Sequence, residues 1–277
     1  LITCKKFHFH QIHLSDKRFF TLVSVIASIV FTVQIAIAFL YPFRYDSDLL
    51  LVRETAINIA EQGVLGKHYV YFQSFPNNLN ITLVCAALYR IGRSWEFVTS
   101  IGALMVNLSA ILTSLTVRNY TKSNTISFVT LILAEFILSF TFIAFPPYTH
   151  NGGIIFPVLQ LFLYSSPLKR NTKIILLVLT TVFGLAMKAT TIIPVMAIVI
   201  IEMLKVIHTH QWKPIIFTFA LFVILYSGTL YIQNHIWNNV GYIENTSKKN
   251  DISYFLLLGQ STNSGGRCDG EYAPLAT

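Results

Sequence analysis

The sequence predicts an all-α membrane protein: a polytopic transmembrane helical bundle of about seven spans, with an outer-face first loop that contains juxtamembrane helices. Three observations predict it. Of the 277 residues, 54% are hydrophobic and only 12% charged, where soluble domains carry roughly 25% charged residues. The mean hydropathy is +0.60, and apolar runs about as long as a bilayer-crossing helix recur along the chain. The basic residues fall in short clusters between those runs, as the connections on the cytoplasmic side of a membrane protein require.

That clustering also accounts for the net charge of +8 without a nucleic-acid partner. The bilayer itself is the expected partner, and the cell membrane the expected location. Cys4, Cys85 and Cys268 lie far apart, with neither metal-site nor redox spacing, so no disulfide framework is expected.

Residues 1–18 read as a cytoplasmic leader with Lys5, Lys6, Lys17 and Arg18. His8, His10 and His13 alternate within it, in a tract too short to specify a metal. Residues 19–41 form the first span. No A-x-A-like cleavage site follows, so the run reads as an anchor and not as a removed signal. Residues 42–96 then make the first outer loop, whose stretch 41–81 is the longest polar interval of the chain. Within it, 49–62 has helical spacing: Leu50, Ala56, Ile57 and Ala60 oppose Arg53, Glu54, Asn58 and Glu61, as in a helix lying on the membrane. Gly63 and Gly66 end it. Tyr69, Tyr71, Phe72 and Phe75 suit the membrane–water interface, and Pro76-Asn77-Asn78 punctuates the next element. Residues 81–89 are apolar but short for a crossing, and read as a re-entrant or juxtamembrane helix closed by Arg90 and Arg93.

Further spans are expected at 97–117, at 125–145 and from 154 to 165. Residues 174–187 and 190–204 form a hairpin turning at Lys188, and 215–232 is the seventh span. The chain therefore divides into the leader 1–18, a transmembrane domain 19–232 and an outer-face tail 233–277, polar apart from 254–258. If 81–89 does not cross, Arg118, Lys122, Lys169, Arg170, Lys173, Lys205 and Lys213 all join the leader on the inner face; if it crosses, they flip outward against the positive-inside rule. The N-terminus is then cytoplasmic and the C-terminus outside. The first loop, the loop from Pro146, the Lys188 turn and the tail share the outer face.

Asp46 and Asp48 lead the candidates for chemistry. A carboxylate just beyond a helix end can act as a general base or hold a cation, although a solvated loop acid is the commoner role for such a residue. Lys188, in GLAMKATTIIP, is an ionisable group between two apolar runs and suits a phosphate; a lysine snorkelling from a hairpin turn is the competing reading. Arg44, Arg53, Lys67, Arg90 and Arg93 could hold an anionic headgroup. Glu135, inside a span, is expected to pair or stay protonated. The Asn-x-Ser/Thr matches at Asn80, Asn107, Asn119 and Asn245 are expected to be chance, since one falls within a span and one on the inner face.

Taken in order, the motifs resemble the bacterial polytopic glycosyltransferases of the GT-C fold, the group that includes the family 39 protein mannosyltransferases. The likeness runs over about 19–266. It rests on Asp48 with Val52 and Ala56, on Tyr71-Phe72 followed by Phe75-Pro76-Asn77-Asn78, on Pro147-Tyr148-Thr149, on Gly184 to Pro194, and on the Gly-Gly stretch in FLLLGQSTNSGG. It implies a polyprenyl-phosphate-linked sugar donor, a glycan, lipid or protein acceptor on the outer face, and a catalytic base at Asp48, with Asp46 as the nearby alternative. It implies substrate or lipid-phosphate contacts at Lys188, Arg90, Arg93, Asn77, Asn78, Tyr148 and His150. Mg²⁺ or Mn²⁺ between Asp46 and Asp48 is chemically admissible, but two acids alone do not specify a metal. His150 stands where the pattern has Asp, Ala189 stands where it has Pro, and the further C-terminal helices are missing, so C-terminal truncation is expected. Two rival readings are a polytopic transporter or lipid flippase, which should show internal repeats and broken helices, and an inactive truncated membrane protein.

Overall fold

The computed structural model describes residues 14–40, 47–141, 147, 151–210 and 212–243. In chain order its helices are α1 (Asp16–Leu40), α2 (Ser47–Gln62), α3 (Tyr69–Ser74), α4 (Asn77–Gly92), α5 (Trp95–Thr121), α6 (Asn124–Thr141), α7 (Asn151–Ser165), α8 (Arg170–Met187), α9 (Ile193–Thr209) and α10 (Lys213–Asn239). Short 3-10 turns, Gly66–His68 and Ala189–Ile192, precede α3 and α9. No strand occurs among the described residues. Among the described residues, five stretches are long and apolar enough to cross a membrane: α1, α5, α8, Ala189–His208 and α10. Two shorter apolar helices, Asn124–Leu138 and Gly152–Ser165, lie among them.

Polar side chains fix the direction of each helix. At one end of the bundle, Arg118 donates to Asp16 (2.9 Å) and Asn124 donates to the same carboxylate (2.6 Å), which sets the starts of α1 and α6 against the end of α5. Further along, Asn107 donates to the Ala27 carbonyl at 3.0 Å, so α1 and α5 run antiparallel. Ser114 and Ser127 exchange hydrogen bonds between α5 and α6. Asn119 reaches Ser165 at the end of α7, Lys173 at the start of α8 donates to the Tyr164 carbonyl, and Lys205 on α9 donates to the Tyr164 hydroxyl and to Glu202. Arg118, Lys173 and Lys205 therefore sit at one end, here termed the basic end. Small and hydroxyl-bearing residues at these contacts let helices approach closely where lipid supplies no hydrophobic drive. Large apolar side chains point outward: Val25, Ile29 and Val33 on α1, Ile132 and Phe136 on α6, Ile200 and Leu204 on α9, Phe219 and Val223 on α10. Such extensive apolar surface is expected to face lipid.

Helix ends follow local chemistry. Gly63, at φ 80°, turns the chain out of α2 while its N–H closes onto the Ile59 carbonyl. Ser94 caps α5, its hydroxyl accepting from the Phe97 N–H at 3.2 Å. Of the helices that run past their expected limits, two bear on the site. The segment 81–89 is part of a 16-residue helix beginning at Asn77, because Thr82 and the two asparagines hydrogen-bond within its first turns. The last helix continues from 232 to Asn239, because Trp237, and Val240 and Tyr242 just beyond, are buried against the helices between α1 and α5.

Candidate functional site

The helices α2, α3 and α4 build a small unit at the end of the bundle opposite the basic end. Its core is Ala56 and Ile59 of α2, Leu65, Phe72 of α3, Leu79, Cys85 and Ala86 of α4, and Trp95 and Val98 of α5, closed by Trp237, Val240 and Tyr242. Main-chain and side-chain bonds tie the unit to the end of α10: the Leu65 N–H donates to the Val240 carbonyl (3.1 Å) and the Tyr69 hydroxyl to the Ile243 carbonyl (3.0 Å). Lys67 and His68 both lie 2.8 Å from one oxygen of Glu54, and these bonds hold the Glu54 carboxyl down at about 2. Burial pushes the Cys85 thiol up to about 12.

Asn80 is the clasp of this arrangement. Its amide nitrogen donates to the Ala186 carbonyl (2.6 Å) and to Gln233 Oε1 (3.0 Å), and its oxygen accepts from Trp237 Nε1 (2.9 Å). One side chain on α4 thus joins the ends of α8 and α10. Beside it lies a cleft of about 160 Å³ lined by Asn77, Asn80, Lys188, Tyr226 and Gln233 together with apolar residues of α8 and α10. Lys188 is the one charged residue among the described residues lining the cleft.

Lys188 stands in extended backbone (φ −158°, ψ 127°) between α8 and the 3-10 turn, outside both flanking candidate spans. Its carbonyl accepts from the N–H and hydroxyl of Thr191. Burial pulls its ammonium below the usual lysine value. Glycine permits the close packing around it. A Cβ at Gly153 would lie 3.3 Å from Lys188 Cδ, one at Gly152 3.0 Å from Ile81 on α4, and one at Gly184 2.8 Å from Thr191 Oγ1. The start of α7 therefore abuts the lysine. Pro157 in that helix has no N–H to offer the Gly153 carbonyl one turn earlier.

The sequence candidates separate into three groups. Lys188 and Asn77 line the cleft, whereas Asn78 is 4% exposed and donates to the Tyr71 hydroxyl at 2.6 Å, so its amide is committed to the fold. Asp48 is exposed in the first turn of α2, where a helix N-terminus favours negative charge, and is not among the residues lining the cleft. Arg90 and Arg93 do not join Lys188. They close the far end of α4, about 20 Å from Asn77 at 1.5 Å per residue. Arg90 instead donates through Nε and Nη2 to the Ala60 carbonyl near the end of α2. Asp46, Tyr148, His150 and Arg44 lie outside the described residues. Among the described residues no three His, Cys, Asp or Glu side chains come together in a metal-binding group.

Asn80, Gln233 and Trp237 were not legible as site residues. In the sequence Asn80 stands out only as the start of an Asn-x-Thr match, and its amide is engaged, as are those of Asn107 and Asn119. The usable signal was the four-residue spacing of Gln233 and Trp237, which continues the helix past the end of the hydropathy run.

These features define a polytopic α-helical membrane protein with a polar cleft at one end. Residues 1–272 match the family described as conserved hypothetical integral membrane protein, and the chain belongs to that family. No curated protein and no solved structure matches the chain.

Proposed function

We propose that the chain is a membrane glycosyltransferase that moves a sugar from a polyprenyl-phosphate donor to an acceptor on the outer face. The observation that carries this reading is Lys188: a cation at the break between two apolar helices, in a cleft shared with the carboxamides of Asn77, Asn80 and Gln233. In this reading α1 and α5 to α10 are seven crossings, the basic end is cytoplasmic, and α2 to α4 lie on the outer surface. The grouping of Arg118, Lys173 and Lys205 at one end supports that orientation.

The chemistry follows from the groups available. Asp48, or Asp46 beside it in sequence, takes the proton of an acceptor hydroxyl. The acceptor oxygen attacks the anomeric carbon, the bond from that carbon to the phosphate oxygen breaks, and the phosphate leaves with the electron pair. The Lys188 ammonium offsets the charge that develops there. No step is assigned to a metal.

The test is transfer of radiolabelled sugar from a polyprenyl-phosphate donor in proteoliposomes. Asp48→Ala and Lys188→Ala should each lower transfer at least a hundredfold with folded protein still present, in line with losses of about 10²–10⁴ for a general base. Full transfer by Asp48→Ala sinks the assignment. Sugar uptake without covalent transfer would instead identify a transporter.

A further inference from the structure

The lining of the cleft changes character along its length. Toward the ends of α8 and α10 stand Lys188 and Gln233, with Asn77 and Asn80 from α4; about two turns earlier along the same two helices the lining is Val182 and Tyr226, with Leu185, Thr229 and Leu230 between. Val182 lies six residues before Lys188 and Tyr226 seven before Gln233, so polarity gives way to hydrocarbon over about 10 Å at 1.5 Å per residue. The apolar end is the seam between α8 and α10. α10 packs chiefly along α8, and Leu230 in this seam is 38% exposed. A soluble sugar phosphate has no use for the apolar wall, and a neutral lipid has none for the lysine.

We infer that the cleft is a lateral portal that admits one anionic, single-chain lipid from the bilayer between α8 and α10, its phosphate at Lys188 and its chain along Val182, Tyr226 and Leu230. The volume agrees with one chain. About 160 Å³ is close to the ~150 Å³ of an engineered apolar cavity that holds one benzene, room for the head of one chain but not for two tails side by side. Thr229 lines the cleft from α10, four residues before Gln233, with its hydroxyl already bonded to the Leu225 carbonyl at 2.9 Å, so a larger side chain there takes up space in the cleft while Lys188 itself is unchanged. The choice of a prenyl phosphate as the lipid rests on the transferase reading; the portal does not.

The experiment is photolabelling of the full chain in nanodiscs of zwitterionic lipid, using farnesyl phosphate with a diazirine on the isoprene next to the phosphate. Labelled residues should fall within 182–188 and 226–233. Excess unlabelled farnesyl phosphate should suppress them, while farnesol or inorganic phosphate at the same concentration should not. Lys188→Gln should reduce labelling about tenfold or more, the scale of one charge-assisted contact. Thr229→Trp, which leaves the lysine in place, should do the same. Labelling spread over the outward faces of α1 and α6 overturns the inference. So does suppression by inorganic phosphate alone, which describes a headgroup site without a portal, or by farnesol alone, which describes an apolar groove. Labelling in the seam by a chain that transfers no sugar from any donor defeats the transferase reading and leaves the portal standing. Transfer undiminished in Thr229→Trp, with labelling elsewhere, does the reverse.

Discussion

Replacing Asn80 with alanine should loosen the unit that forms the upper wall of the cleft. The substitution removes three hydrogen bonds at once: those to the Ala186 carbonyl, to Gln233 and from Trp237. Net contributions of neutral hydrogen bonds cluster at about 0.5–1.5 kcal/mol, and interhelical ones in a membrane protein average about 0.6 kcal/mol. Three bonds therefore give about 1.5–4.5 kcal/mol. The upper part of that range is favoured because the indole of Trp237, 8% exposed, is left without its acceptor. Asn80→Asp separates the two functions of the amide. It keeps an acceptor for Trp237 but turns a carboxylate toward the Ala186 carbonyl and Gln233 Oε1, so it should be at least as destabilising as alanine. The assay is equilibrium unfolding in mixed micelles followed by tryptophan fluorescence, with Trp237 itself a reporter. An Asn80→Ala protein within about 0.5 kcal/mol of the wild type, less than a single bond, refutes the reasoning.

Other expectations follow from the same packing. Gly184→Ala should destabilise by about 1–3 kcal/mol through overpacking, since its new Cβ meets Thr191 Oγ1 at 2.8 Å and Phe156 Cβ at 3.1 Å. Gly228→Ala on α10 meets nothing within 4 Å and should be neutral or stabilising by up to about 1 kcal/mol from helix propensity; the two variants compared by thermal denaturation check the contrast. The Glu54 carboxyl is held at about 2, below the usual 4.5, so its contribution is complete above that usual value and is lost as pH falls from there toward 2. Because Glu54 and Lys67 are 38% and 75% exposed, the pair is expected to contribute only about 0.2–1 kcal/mol, and Glu54→Gln should flatten that part of an acid-stability curve. Cys85, fully buried with its thiol pushed up to about 12, should resist maleimide at neutral pH until the protein unfolds, as mass spectrometry of intact and denatured samples would reveal.

The helical membrane bundle was legible because its causes are local. A run of apolar residues needs no partner to declare a helix, and Arg118 or Lys173 beside such a run already marks its end. Lys188 was legible for the same reason: an ionisable group between two apolar runs stands out against its neighbours. The association of Arg90 and Arg93 with that lysine was not a local property. Nothing in the sequence told which end of α4 would meet α8, and the turn begun at Asn77, not the one closed by Arg90, is the end that does.

The clasp was hidden by distance along the chain and by its chemistry. Asn80 and Trp237 lie 157 residues apart, and neither belongs to a pattern that hydropathy can register. A hydropathy run ends where polar residues begin, so the segment after 232 reads as a tail. Yet polar residues at a helix end are free to bond to another polar end, and here Gln233 and Trp237 do so with Asn80. Burial then extends the helix beyond its apolar stretch, with Val240 and Tyr242 sealing the unit that the first loop begins. The cleft is consequently made from three separated parts of the sequence, α4, the end of α8 and the end of α10. Its shape depends on a contact between the first loop and the last helix that no single segment encodes. Any change that shortens α10 before Trp237 should therefore open the cleft from above even with Lys188 and Asn77 intact, a consequence that the unfolding and photolabelling experiments would register together.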